Sequence, residues 1–137
     1  MCSARTVCSR LGLRLTPIRS RVLELISRRH APIGAYEILA ALSDKDGALA
    51  PPTVYRALKF LLDAGLIHRV DSINAFVTCE TPQRAHAGLF LVCHSCKRTI
   101  ELADDSISRF MQQKIRSAGF TDQVRDIEVK GLCAECG

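Results

Sequence analysis

The chain has 137 residues, enough for one domain or two small ones, with the 47% hydrophobic and 24% charged content of a globular protein. Its longest apolar run, Ala87 to Cys93, is far short of the ~20 residues that span a bilayer. The opening "MCSARTVCSRLGLR" lacks the continuous apolar core of a signal peptide, so a cytoplasmic protein is expected. The formal charge of +5 belongs to the first part: residues 1–79 carry eleven Lys and Arg against six Asp and Glu, and residues 80–137 eight against eight. A basic half joined to a neutral one suits a polyanion-binding module attached to something else, although a basic soluble surface would give the same count.

In chain order, "LTPIRSRVLELISRRH" places Thr16 as an N-cap and Pro17 at the first helical position. Ile18, Val22, Leu25 and Ile26 then form an apolar stripe at helical spacing. "GAYEILAALSDKDG" repeats the pattern more weakly through Ala35, Ile38, Leu39 and Leu42. "PPTVYRALKFLLDAG" is the clearest helix, with proline at its start and Gly65 just past its end. Val54, Ala57, Leu58, Leu61 and Leu62 share one side of it, and Tyr55, Arg56 and Lys59 the other. "LIHRV" and "AFVTC" read as two strands around the turn "DSIN". Three short helices followed by a hairpin make a winged helix, the helix-turn-helix variant whose third helix enters the major groove.

"ETPQRAHAG" reads as a linker. A strand from Leu89 to Val92, a second from Arg98 to Leu102, a helix from Asp105 to Ala118 carrying Ile107, Phe110, Met111 and Ile115, and a strand in "QVRDIEVKG" follow. So small an α/β unit buries little surface, and a metal staple or a dimer partner is expected to complete it.

Seven cysteines in a cytoplasmic chain point to metal rather than to disulfides. Cys93 and Cys96 form one CxxC, Cys133 and Cys136 another, with 36 residues between the pairs. Each two-residue spacer lets a tight turn aim both sulfurs at one point, and four thiolates are the ligand set of a closed structural zinc site. A thioredoxin-like dithiol needs only one CxxC, at the start of a helix. A closed site has no open position for catalysis, and the deaminase pattern HxE…PCxxC is absent, so an enzyme is the weakest alternative. Other potential ligands are His30, His68, Cys79, Glu80, His86, His94 and Glu101. A lone histidine is usually a surface or core residue. Their distribution over the hairpin, the linker and the strand after the first knuckle nevertheless allows one mixed site drawing on both modules, and nitrogen, sulfur and oxygen donors together favour zinc.

The motifs "RLTPIRSRVLELI", "APPTVYRALKFLLDAGLIHRV", "FVTC", "FLVCHSC" and "GLCAEC", in this order over nearly the whole chain, resemble the ferric uptake regulator family and within it the zinc-uptake branch. The resemblance implies an α+β protein: a winged-helix (helix-turn-helix) DNA-binding domain over residues 1–79, a hinge linker over 80–86, and a small α/β dimerisation domain over 87–137 with a structural zinc knuckle site. It implies a homodimeric bacterial repressor of zinc-uptake genes that binds a two-fold operator when a regulatory zinc fills the hinge site, with two zinc ions per chain. By motif match the structural zinc falls to Cys93, Cys96, Cys133 and Cys136, and the regulatory zinc to His68, Cys79, His86 and Glu101. Thr53, Tyr55, Arg56 and Lys59 of the recognition helix, with Arg14 and Arg19 before it, are the expected DNA contacts, and Arg21 adds to the phosphate attraction. Iron, manganese and peroxide sensors of the family usually carry "HHxHxxC" before the first knuckle; "RAHAGLFLVC" has a single histidine and argues against them. A constitutive DNA-binding protein with structural zinc alone is the other alternative. Cys2 and Cys8 match no motif.

Overall fold

The computed structural model describes residues 4–29, 31–79, 88–121 and 126–137. The expected hinge linker (80–86, with Glu80 and His86), Ala87, His30, Cys2 and the start of "QVRDIEVKG" lie outside the described residues. The chain divides into two compact units, Met1–Gln83 and Arg84–Gly137. No helix among the described residues is long and apolar enough to cross a membrane.

Among the described residues the first unit holds four α-helices rather than three. Helix α1 (Ala4–Arg10) precedes those legible in the sequence, and it buries Val7 and Cys8 in the core of the unit. Burial pushes the Cys8 thiol above its usual range, partly offset by the nearby Arg19 charge, so this cysteine serves as an apolar filler. Helix α2 (Pro17–Arg28) starts with Pro17 and buries Val22 and Ile26. Thr16 occupies the N-cap position but its hydroxyl does not cap: Oγ1 is buried without a hydrogen-bond partner among the described residues.

Helix α3 (Ala35–Asp46) contributes Ile38 and Leu42 to the core. Helix α4 (Pro51–Asp63) buries Val54, Ala57, Leu58 and Leu61, four of the five residues on its expected apolar side, while Leu62 is half-buried against the same core. The helix ends in a Schellman motif: Leu66 N–H bonds to Leu61 O and Gly65 N–H to Leu62 O, both at 3.0 Å. Gly65 has φ +72°, a left-handed conformation that glycine adopts without a Cβ clash. That tight exit turns the chain directly into the hairpin.

Strands β1 (Ile67–Val70) and β2 (Ala75–Thr78) pair antiparallel around a 3-10 turn at Asp71–Ile73, and Asn74 takes the left-handed position at φ 48°. Ile33 bridges to Phe76 through two backbone hydrogen bonds, which ties the α2–α3 connection to the wing. The result is the winged helix expected from the sequence, extended by α1.

The described residues of the second unit carry a three-stranded sheet of order β4–β3–β5. Strand β3 (Leu89–Cys93) is central, β4 (Thr99–Glu101) runs antiparallel to it, and β5 (Ile127–Gly131) runs parallel. A parallel neighbour requires a crossover, and helix α5 (Asp105–Ser117) lies within it. Asp104 caps α5: its Oδ1 accepts the N–H groups of Ser106 (2.9 Å) and Ile107 (3.3 Å). Phe90 and Val92 are buried on one face of β3, whereas Leu91, Ile100 and Val129 are exposed. On α5 no residue is buried, and Ile107 and Phe110 are exposed.

Candidate metal centres and nucleic-acid interface

The four knuckle cysteines converge in the second unit, with all four sulfurs within 4.8 Å of one another. Strand β3 ends on Cys93, and the chain turns at once: Lys97 N–H bonds to Cys93 O and Cys93 N–H to Arg98 O, both at 2.9 Å. Lys97 itself is left-handed at φ 67°, which turns the chain out of the knuckle and back along β3. The second knuckle repeats the device, with Cys136 N–H to Cys133 O at 3.1 Å and Gly137 N–H to Cys133 O at 2.9 Å. Parallel pairing of Cys93 with Gly131 places the two turns side by side, and His94 N–H to Gly131 O at 2.9 Å fastens them. His94 is otherwise an exposed surface residue.

The spacing of the sulfurs fits zinc. Cys96 Sγ and Cys133 Sγ are 3.8 Å apart, and a tetrahedron with zinc–sulfur bonds of about 2.3 Å has edges of about 3.8 Å. The backbone also prepares thiolate charge. Cys133 N–H points at Cys93 Sγ at 3.4 Å. Hydrogen bonds from the backbone N–H of Cys96 and then Cys133 lower the Cys93 thiol to about 5, while hydrogen bonding to the Cys133, Cys96 and Cys93 sulfurs raises Cys136 to about 12. Four sulfurs this close cannot all carry negative charge without a cation among them. Bound zinc would supply that charge and tie the turn after β3 to the turn after β5.

A second pair of donors belongs to the hairpin of the first unit. His68 on β1 faces Val77 across the ladder, and Cys79 follows Val77 by two residues, so both side chains emerge on one face as diagonal neighbours. Cys79 N–H bonds to Leu66 O at 3.0 Å, which fixes the residue just beyond β2. Both side chains are buried, and their donor atoms lie within 4.8 Å of each other. Imidazole nitrogen and thiolate sulfur are zinc donors of this kind. In the second unit Glu101 closes β4 opposite Phe90 and is half-buried. His86 lies outside the described residues.

The outer side of α4 is the candidate DNA surface. Tyr55, Arg56 and Lys59 are exposed, as the wheel predicts, and Thr53 is half-buried. Lys59 Nζ bonds to Asp63 Oδ2 one turn on, at 2.7 Å. Arg14 is exposed in the approach to α2. Arg19 has a different occupation: its guanidinium stacks 3.7 Å from the Phe60 ring centroid and donates to Arg14 O at 2.7 Å. One residue escaped the sequence reading. Tyr36, in the first turn of α3, is 81% exposed and shares a shallow cleft with Tyr55. Its place off the apolar stripe of Ala35, Ile38, Leu39 and Leu42 was the available signal.

Residues 10–130 match the ferric uptake regulator family. The chain is 36% identical over 137 residues to the zinc uptake regulation protein of Escherichia coli (strain K12), covering 99% of this chain and 80% of that one. Among solved structures, it is similar to a zinc uptake regulator complexed with zinc and DNA, at 35% identity and a TM-score of 0.87, over 96% of this chain and 89% of the other. It is likewise similar to holo XcZur, at 44% identity and a TM-score of 0.84, over 94% of this chain and 90% of the other. The chain belongs to the ferric uptake regulator family, in its zinc-uptake branch.

Proposed function

We infer that the protein is a zinc-responsive transcriptional repressor that binds operator DNA as a homodimer and catalyses no reaction. The observation that carries this reading is the pair of distinct donor sets: four clustered thiols in one unit, and a buried His68–Cys79 pair on the wing of the other. A closed four-cysteine site is structure, whereas a site next to the DNA-binding elements can act as a switch. The similar solved structure of a zinc uptake regulator complexed with zinc and DNA supports zinc and DNA as the ligands.

The regulatory zinc is assigned to His68, Cys79, His86 and Glu101. Residues 1–79 form the DNA-binding domain, 80–86 the hinge and 87–137 the dimerisation domain. Ligands drawn from both sides of the hinge make zinc a restraint on the freedom of the two domains, and so a means of shifting a population toward the DNA-binding arrangement. The exposed apolar residues of the second unit, Leu91, Ile100 and Val129 on the sheet with Ile107 and Phe110 on α5, are the surface that a second copy covers. On DNA, Arg56 and Tyr55 reach base edges or phosphates from α4, while Arg14, Lys59 and Thr53 add backbone contacts. Arg19 contributes by bracing Phe60.

The test is Cys79→Ser in the full chain. Zinc-dependent operator binding should be lost while the dimer and one structural zinc per chain persist. Unchanged zinc dependence in this variant would overturn the assignment.

A further inference from the structure

The first described residue after the linker is held by a side chain from far along the chain. Asp126, just before β5, accepts the backbone N–H of Gly88 through Oδ1 at 2.8 Å, a link between positions 38 apart. Gly88 O in turn accepts the Ile127 N–H at 2.7 Å, and Leu89 O accepts the Leu102 N–H at 2.7 Å. The entry to β3 is thus gripped from the β5 side by Asp126 and Ile127, and from the β4 side by the residue next to Glu101. Phe90 pairs directly with Glu101.

The grip leaves no space. A Cβ on residue 88 would stand 2.5 Å from a Phe90 ring carbon and 2.8 Å from Asp126 Oδ1. Phe90 is fully buried, so its ring has nowhere to move. The β3–β5 ladder itself starts at Leu89 opposite Ile127. Asp126 therefore engages an N–H beyond the end of that ladder.

We propose that Asp126 is a positioning residue for the regulatory zinc: through Gly88 and Leu89 it fixes the strand end that carries Glu101. This rests on Glu101 being a ligand of that zinc. Groups that orient metal ligands from behind commonly matter nearly as much as the ligands do.

The test uses the full-length protein with its structural zinc in place, and reads regulatory-zinc affinity by competition with a fluorescent chelator. Asp126→Ala should weaken that affinity about tenfold while the dimer and one structural zinc per chain remain. Asp126→Asn keeps an oxygen for the Gly88 N–H and should stay within about twofold of the parent. The proposal is overturned if Asp126→Ala binds as tightly as the parent while Glu101→Ala is weakened. It is equally overturned if Asp126→Ala loses structural zinc as well, which marks a folding role, or if Asp126→Asn is as weak as Asp126→Ala, which marks a charge effect. A Glu101→Ala variant of unchanged affinity would remove the ligand assignment, and this proposal with it.

Discussion

Arg19 stacks on Phe60 with its guanidinium carbon 3.7 Å from the ring centroid, and the same side chain donates to Arg14 O at 2.7 Å. One residue therefore joins the approach to α2 to helix α4. Arg19→Ala should lower the stability of the first unit by about 1–2 kcal/mol, read by urea denaturation, through loss of the stacking and of a charged hydrogen bond. Arg19→Lys should recover less than half, because an ammonium lacks the planar face and the fork. Full recovery by lysine would show that charge alone matters there.

Arg56 and Lys59 differ in how they are held. Lys59 is already paired with Asp63 on the helix surface, whereas Arg56 presents an exposed guanidinium one turn nearer the N-terminus. Arg56→Ala should cost about 1–3 kcal/mol of operator binding if it reads a base edge, with no change in thermal stability. Lys59→Ala should change stability by less than about 0.5 kcal/mol and reduce the salt slope of binding by about 1, as a phosphate contact does. Binding measured over a series of salt concentrations separates the two, and equal slopes for both variants would contradict the distinction.

Zinc binding at the four-cysteine site should be linked to pH in a definite direction. In the metal-free site Cys93 is lowered to about 5 and Cys136 raised to about 12. At neutral pH the first is already a thiolate, while the second must lose its proton to zinc. Affinity should therefore rise with pH across the neutral range, with at least one proton released per zinc, and fall more steeply below about pH 5 as Cys93 also takes up a proton. Chelator competition from pH 5.5 to 8.5, a range of about three units, reads the slope. A flat profile would contradict it.

Gly88→Ala should destabilise the second unit by about 1–3 kcal/mol, because the new methyl group meets the buried Phe90 ring and the Asp126 carboxylate at once. Thermal unfolding of the zinc-loaded protein checks this. Gly119→Ala is the control for open space: nothing lies within 4 Å of its Cβ position, although φ +84° makes the backbone unfavourable.

Much of the architecture was legible because it depends on short spacings. The apolar side of α4, its start at Pro51 and its end before Gly65 follow from local periodicity and turn chemistry, and the structure buries four of the five expected residues. The cluster of four knuckle cysteines was legible for the same reason, since each CxxC is a self-contained turn. Helix α1 was not. It is seven residues long, and among its described side chains Val7 and Cys8 are the buried ones, too short a stripe to show a period. Thr16 stands where an N-cap stands, but its hydroxyl is buried and idle, because Pro17 and the surrounding core set the helix start without it. The role of Arg19 against Phe60 and the Asp126–Gly88 clasp arise from tertiary contacts between distant positions, which no local pattern encodes.

One zinc builds the protein, on this reading, and a second switches it. Operator binding measured during a zinc titration, with metal content per chain determined at each point, tests this directly. A folded dimer at one zinc per chain should bind operator DNA weakly, with tight binding appearing as the second zinc fills. Tight binding already complete at one zinc per chain, unchanged by the second, would contradict it.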